Sequence, residues 1–173
     1  MIYEPDEDSY LLKKQVRKLA KGKVLDMGTG SGILALAAKE NSKDVTAVDI
    51  NKEAVELAKK NGLKTIQSDL FDKVKDKFDT IIFNPPYLPE DEAEDKESKT
   101  ITTGGKQGHE LIERFLKEAK SHLNKSGAIL ILFSSLSGDI LKIFKECKYN
   151  YRLLDSKKIF FEELYVYELT SSS

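Results

Sequence analysis

The chain has 173 residues, 40% of them hydrophobic, which is enough for one domain with a core of ordinary size. Charged residues make up 33%, yet 28 Lys and Arg nearly cancel 29 Asp and Glu; the formal net charge of -1 gives no overall field toward nucleic acid or an anionic membrane. Cys147 is the single cysteine, which excludes an intramolecular disulfide or a cysteine zinc site within one chain and suits a reducing cytoplasm.

No apolar run reaches membrane-spanning length, and the acidic N-terminus is not a signal peptide. Pro5 followed by Asp6, Glu7 and Asp8 suits the first turn of a helix, where negative charge meets the positive end of the dipole. Leu11, Leu12, Val16 and Leu19 recur at helical spacing, and Gly22 is a stop signal. Residues 23–27 read as a short strand. Gly28-Thr29-Gly30-Ser31-Gly32 follows at once, and residues 33–39 continue as an Ala/Leu helix. A strand, a glycine loop and a helix let the backbone approach a nucleotide-like ligand. The spacing from Asp26 is Asp-x-Gly-x-Gly-x-Gly. A glycine turn alone requires only conformational freedom, but the strand-loop-helix context favours ligand binding.

Residues 44–49 form the second strand and end in Asp49, an acid 23 positions beyond Asp26. A carboxylate there can accept both hydroxyls of a ribose. Asn51 can cap the helix over 52–60, which leaves Asp49 for that role, and Asn61-Gly62 ends the helix. A third short strand, 64–67, precedes Ser68-Asp69-Leu70. Asp69 is placed to reach an adenine amino group, with Leu70 against the ring; an aspartate that satisfies nearby loop amides is the competing reading.

Residues 78–83 form a short apolar run, read as a buried central strand. Asn84-Pro85-Pro86-Tyr87 ends it, because neither proline can donate to a ladder. An Asn carbonyl and a Tyr ring are thereby held at the carboxyl end of the strand, where open α/β sheets bind ligands. Such a site suits a planar NH2 group. The Asn84 oxygen accepts one N–H, the Pro85 carbonyl accepts the other, and the Tyr87 ring lies on the flat face.

Residues 88–103 are polar, with the acidic run 90–95, and read as a solvated loop beside the site, in a position that also permits a lid. Gly104 to Gly108 leads into an amphipathic helix over 109–123, and neither His109 nor His122 receives a chemical role. Residues 127–133 are the strongest buried strand, and a helix over 137–145 follows. Strands over 149–154 and 164–169 alternate apolar and polar; joined by 155–163 they are antiparallel. The count is seven strands with intervening helices in one domain, residues 1–170, followed by a frayed tail, 171–173.

Asp26 to Gly32, Asp49, Asp69 and Asn84-Pro85-Pro86-Tyr87 together resemble a class I S-adenosylmethionine-dependent methyltransferase acting on amino groups. The segments Tyr3 to Leu12 and Gly104 to Glu110 narrow the resemblance to the HemK-type protein glutamine methyltransferases. The compact archaeal/eukaryotic branch fits, because the extra N-terminal helical domain of bacterial members is not expected. The resemblance spans nearly the whole chain. One departure is the short, strongly acidic segment after Leu88, onto which lid contacts do not transfer.

The resemblance implies a Rossmann-like α/β fold: a seven-stranded mixed sheet of order 3-2-1-4-5-7-6, the last strand antiparallel, with helices on both faces. It implies S-adenosylmethionine as cofactor and S-adenosylhomocysteine as product, bound by Ser9, Asp26, Gly28, Gly30, Asp49, Asp69, Leu70 and Asn84, with no metal. Asn84, Pro85 and Tyr87 are the catalytic residues it implies, and Asn84, Pro85, Pro86 and Tyr87 hold the substrate. That substrate is the glutamine of a Gly-Gly-Gln loop in a class I translation release factor. The branch further implies a small zinc-binding activator protein on the third strand, near Thr65 to Gln67.

Two other readings compete. An adenine-N6 or guanine-N2 methylase could use the same tetrad, but must extract a base and hold a strand. No target-recognition domain and no basic excess serve that here. A non-catalytic cofactor-binding scaffold would have no need of Asn84.

Overall fold

The structure, a computed structural model, describes residues 5–86 and 108–172. Asp6 caps α1 (Glu7–Leu19), its side chain accepting from the Glu7 N–H. Glu7 and Asp8 in the first turn and Arg17 and Lys18 in the last complement the helix dipole. The helix stops at Leu19, earlier than Gly22 suggested. Gly22, with φ of 67°, makes the bend into β1 (Lys23–Met27) instead; a Cβ there would sit 2.3 Å from Asp79 Oδ2.

After β1 come α2 (Ile33–Ala38), β2 (Asp44–Asp49), α3 (Lys52–Lys60), β3 (Lys64–Gln67) and β4 (Phe78–Phe83). Asn51 caps α3 by accepting from the Glu53 N–H, as its position implied. Next are α4 (Glu110–Ala119), a 3-10 turn (Lys120–His122), β5 (Leu123–Ser134), α5 (Ile140–Glu146), β6 (Tyr149–Ile159) and β7 (Glu162–Ser171). Among the described residues no helix is long and apolar enough to cross a membrane.

The strands form one sheet in the order β3-β2-β1-β4-β5-β7-β6. The first five are parallel, and β7 runs antiparallel to both neighbours. Successive side chains point to opposite faces, so the central strands serve two cores. Ile81, Phe83, Ile129, Ile131 and Phe133 pack with Phe115 of α4 and Phe144 of α5. Ile82, Leu130 and Leu132 pack with Leu12 and Val16 of α1 and Leu34 and Ala35 of α2. Near-continuous apolar runs are what a sheet covered on both faces requires.

Three expectations are corrected. β6 and β7 are longer than the alternating stretches, so the expected connection over 155–163 shrinks to a two-residue turn at Phe160-Phe161. β5 begins at Leu123, pairing with Phe78 before a register shift. The tail is tied down further than expected: Ser171 pairs with Tyr149, and the Ser172 N–H donates to the Lys148 carbonyl.

Candidate active site

The strand order reverses between β1 and β4, the switch point where open α/β sheets form a crevice. Met27 is in register with Val48 on one side and Phe83 on the other. Gly28, Asp49 and Asn84 therefore leave the sheet side by side, at strand spacings of about 4.8 Å. Asn84 and Asp49 stand about 10 Å apart across the glycine loop.

The loop is built on positive φ at Gly28 (69°), Gly30 (52°) and Gly32 (84°), where a β-carbon is disfavoured. Beneath it Asp26 is wholly buried. Its Oδ2 accepts from Thr29 Oγ1 at 2.8 Å and from the Ala35 N–H at 3.2 Å, which ties the loop to α2. Its Oδ1 is buried with no hydrogen-bond partner among the described residues. Burial pushes the carboxyl up to about 7; the Thr29 hydrogen bond opposes this, and the Asp49 charge adds to it.

Asp49 clamps the loop from the other side. Its Oδ2 accepts from the Gly30 N–H and its Oδ1 from the Asn51 N–H, both at 2.9 Å. Each carboxylate oxygen keeps a further acceptor position. Asp69 lies past the end of β3, but its two oxygens face Arg114 Nη1 of α4 at 3.0 and 3.1 Å. The carboxylate expected to face an adenine is thus already paired with a guanidinium. Leu70, at φ 47°, is 7% exposed and packs with Phe71 in the core, so only its edge faces outward.

Asn84 follows β4 directly. Its Nδ2 faces Asp8 Oδ2 of α1 at 3.4 Å. A carboxylate only accepts, so the amide NH2 points to Asp8 and the carbonyl points away. That carbonyl oxygen, Oδ1, is buried and has no hydrogen-bond partner among the described residues. Orphaned acceptors of this kind are uncommon in folded proteins. Asp8 is itself 5% exposed, and its Oδ1 takes the N–H of Ser9, which is 2% exposed. Pro85 is buried and Pro86 half-buried. Tyr87, the acidic run 90–95 and Gly104 to Gln107 lie outside the described residues, as do Tyr3 and Glu4.

The structure brings Ser9, Asp26, Gly28, Gly30, Asp49, Asp69, Asn84 and Pro85 to one edge of the sheet. Sequence reasoning missed three supports: Asp8 behind Asn84, Thr29 on Asp26, and Arg114 on Asp69. His122 stacks on Phe71 at 4.6 Å with its Nδ1 at the Asp76 carbonyl, which accounts for it outside the site.

The methyltransferase small domain family matches residues 3–158. A protein of Methanocaldococcus jannaschii, named as a candidate protein N5-glutamine methyltransferase, is 41% identical over 95% of this chain and 89% of its own. A release factor glutamine methyltransferase of Lactococcus lactis is 36% identical over 72% of this chain and 52% of its own. The chain spans about half the length of the bacterial relatives it matches. Among solved structures, the E. cuniculi Mtq2-Trm112 complex, responsible for methylation of the eRF1 translation termination factor, matches with a TM-score of 0.82 at 28% identity, covering 99% of both chains. A Bacteroides fragilis S-adenosylmethionine-dependent methyltransferase bound to S-adenosyl-L-homocysteine shares the fold, with a TM-score of 0.66 at 22% identity over 94% of this chain and 78% of its own.

Proposed function

The chain belongs to the methyltransferase small domain family, and from that premise we propose that it methylates the side-chain amide nitrogen of a glutamine in the Gly-Gly-Gln loop of a class I release factor. The observation that carries this reading is the buried Asn84 Oδ1 at the switch point, an acceptor with no partner among the described residues. The named activities of the relatives support it.

The residues fit S-adenosylmethionine, which carries positive charge. Asp26 Oδ1 has no hydrogen-bond partner among the described residues, and Asp49 and Asp69 stand along the same edge. When bound, the cofactor supplies a methyl group already activated by its sulfonium. Asp49 would accept the ribose hydroxyls on the positions that Gly30 and Asn51 leave open. Gly28 and Gly30 would offer bare backbone to it, Ser9 would close the site from α1, and Asp69 and Leu70 would border the adenine.

An amide nitrogen is a poor nucleophile because its lone pair is delocalised. The chain's task is therefore alignment. Asn84 Oδ1 and the Pro85 carbonyl each accept one N–H of the substrate amide, Pro86 fixes the turn, and the role of packing on the amide plane is assigned to Tyr87 from the sequence alone. As positive charge develops on the nitrogen, the Asn84 dipole stabilises it, with the Asp8 carboxylate behind the dipole. No general base is assigned, since the methylated amide loses its proton to solvent.

β3 is an edge strand of four residues, and exposed edges invite pairing. A small zinc-binding activator protein adding a strand along Thr65 to Gln67 would cover it; the partnered complex among the structural matches supports this. The single cysteine and the translation-factor substrate support a cytoplasmic setting. The test is a methyl-transfer assay offering a release factor, DNA and RNA in parallel, with and without a candidate activator. Transfer to the release factor is expected; transfer to nucleic acid alone would move the substrate to adenine or guanine.

A further inference from the structure

Phe160 and Phe161 are 92% and 84% exposed, the most exposed of the large hydrophobic side chains among the described residues. They form the two-residue turn between β6 and β7, with Ile159 paired to Glu162 below them, and their rings meet edge to face at 4.3 Å. Two-residue hairpin turns are ordinarily built from Gly, Asn or Asp. Neither the turn nor the core has a use for phenylalanine here.

The strand register says where this tip stands. Phe83 pairs with Ile131, Ser134 pairs with Leu164, and the tip lies three residues beyond Leu164. At about 3.4 Å per residue, it rises roughly 20 Å above the level of Phe83, on the side where Asn84 leaves the sheet. β7 is two strands from β4, so the sideways offset is only about 10 Å. The stem is strapped in place. The Ser135 N–H donates to the Glu163 carbonyl at 2.8 Å, the Glu163 N–H donates to Ser135 Oγ at 3.0 Å, and Ser134 Oγ donates to Glu162. Lys157 pairs with Glu7 of α1. Leu136, 46% exposed in the loop that holds the stem, extends the apolar surface.

We propose that the Phe160–Phe161 tip is a docking point for the protein substrate, gripping an apolar patch of the folded release factor beside the loop whose glutamine enters the site. This rests on the release-factor reading. A folded protein whose loop reaches Asn84 has a body large enough to meet a tip roughly 20 Å above Phe83 and about 10 Å to the side, whereas a free base or a short peptide does not. Charge at the stem is balanced, with Lys157 on Glu7 and Lys158 opposite Glu163, so the contact is apolar. A second copy of this chain is a poorer occupant. Two aromatic side chains bury about 150–250 Å² each, well short of the roughly 800 Å² per partner of a stable interface.

The experiment compares the wild type with Phe160→Ser/Phe161→Ser, using an intact release factor and a short Gly-Gly-Gln peptide as acceptors. Phe160→Asn/Phe161→Gly is a second variant whose residues favour the turn, and Phe160→Leu/Phe161→Leu is the conservative rescue. For the intact factor, KM should rise about tenfold while kcat stays within about twofold. Peptide kcat/KM, S-adenosylmethionine affinity and melting temperature should not change, and the leucine variant should recover most of the loss. An unchanged KM on the intact factor, or an equal loss on the peptide, overturns the proposal. So does sedimentation showing a wild-type dimer that the serine variant dissociates. A wild type active on the intact factor with no tip dependence fails this proposal alone; a wild type inactive on every release factor fails the substrate reading and this proposal together.

Discussion

Asp26→Asn probes the support beneath the glycine loop. The carboxyl is wholly buried, and burial, opposed by the Thr29 hydrogen bond and reinforced by Asp49, lifts it from 3.8 to about 7. A raised folded value means that the native state keeps a proton the unfolded chain has released. The stabilising contribution is complete below pH about 3.8, declines as pH rises, and is gone above about 7. One unit is worth about 1.4 kcal/mol, so the whole window is about 4 kcal/mol, of which about 3 kcal/mol lies between pH 5 and pH 8. Asparagine cannot ionise. Its changed hydrogen bonds to Thr29 and Ala35 contribute equally at both pH values and cancel in the comparison. Urea unfolding followed by circular dichroism should therefore show the variant gaining about 3 kcal/mol on the wild type between pH 5 and pH 8. A stability difference independent of pH would refute the assignment of a strained, buried carboxylate.

Four further substitutions separate binding from alignment. Asn84→Ala should leave cofactor affinity nearly intact by calorimetry and lower kcat by about a hundredfold or more, as when one preorganised polar partner is lost. Asn84→Asp should lose less and bind the cofactor equally or more tightly. Asp8→Ala removes the group that turns the Asn84 carbonyl outward; kcat should fall about tenfold with cofactor affinity unchanged, a loss of the order of one hydrogen bond. Asp49→Ala removes a ribose acceptor and the clamp on Gly30 and Asn51. Calorimetry should show affinity for S-adenosylmethionine weaker by about 1.5–3 kcal/mol, and unchanged binding in a folded variant would remove Asp49 from the site.

Local signals were legible where a residue's role is met by its own neighbours. Asn51 and Asn61-Gly62 bound α3, and the two prolines end β4, so those limits match the sequence expectation. The glycine loop after β1 and the position of Asp49 at the end of β2 were legible for the same reason. Signals failed where tertiary pairing overrides composition. The strand was expected to begin at Gly127, after a helix reaching Leu123, yet the chain is already strand at Leu123 because Leu123 pairs with Phe78. The polar run Asp155 to Lys158 read as a connection, yet it extends a hairpin on the outer edge of the sheet, where charge is tolerated. α5 starts at Ile140, because Gly138 takes φ 93° and Asp139 caps the helix. In the site, Asp8 meets Asn84 across 76 positions and Arg114 meets Asp69 across 45, separations that no local pattern reveals.

The central claim is that Asn84 and the Pro85 carbonyl present one amide nitrogen for methylation. Its most direct test is to incubate the wild type with S-adenosylmethionine and an intact class I release factor, then locate the methyl group by peptide mass spectrometry. The expected result is a single methyl on the side-chain nitrogen of the Gly-Gly-Gln glutamine, released as methylamine on acid hydrolysis and absent with Asn84→Ala. A methyl found on any other residue, or an Asn84→Ala enzyme that labels the glutamine as fast as the wild type, would contradict it.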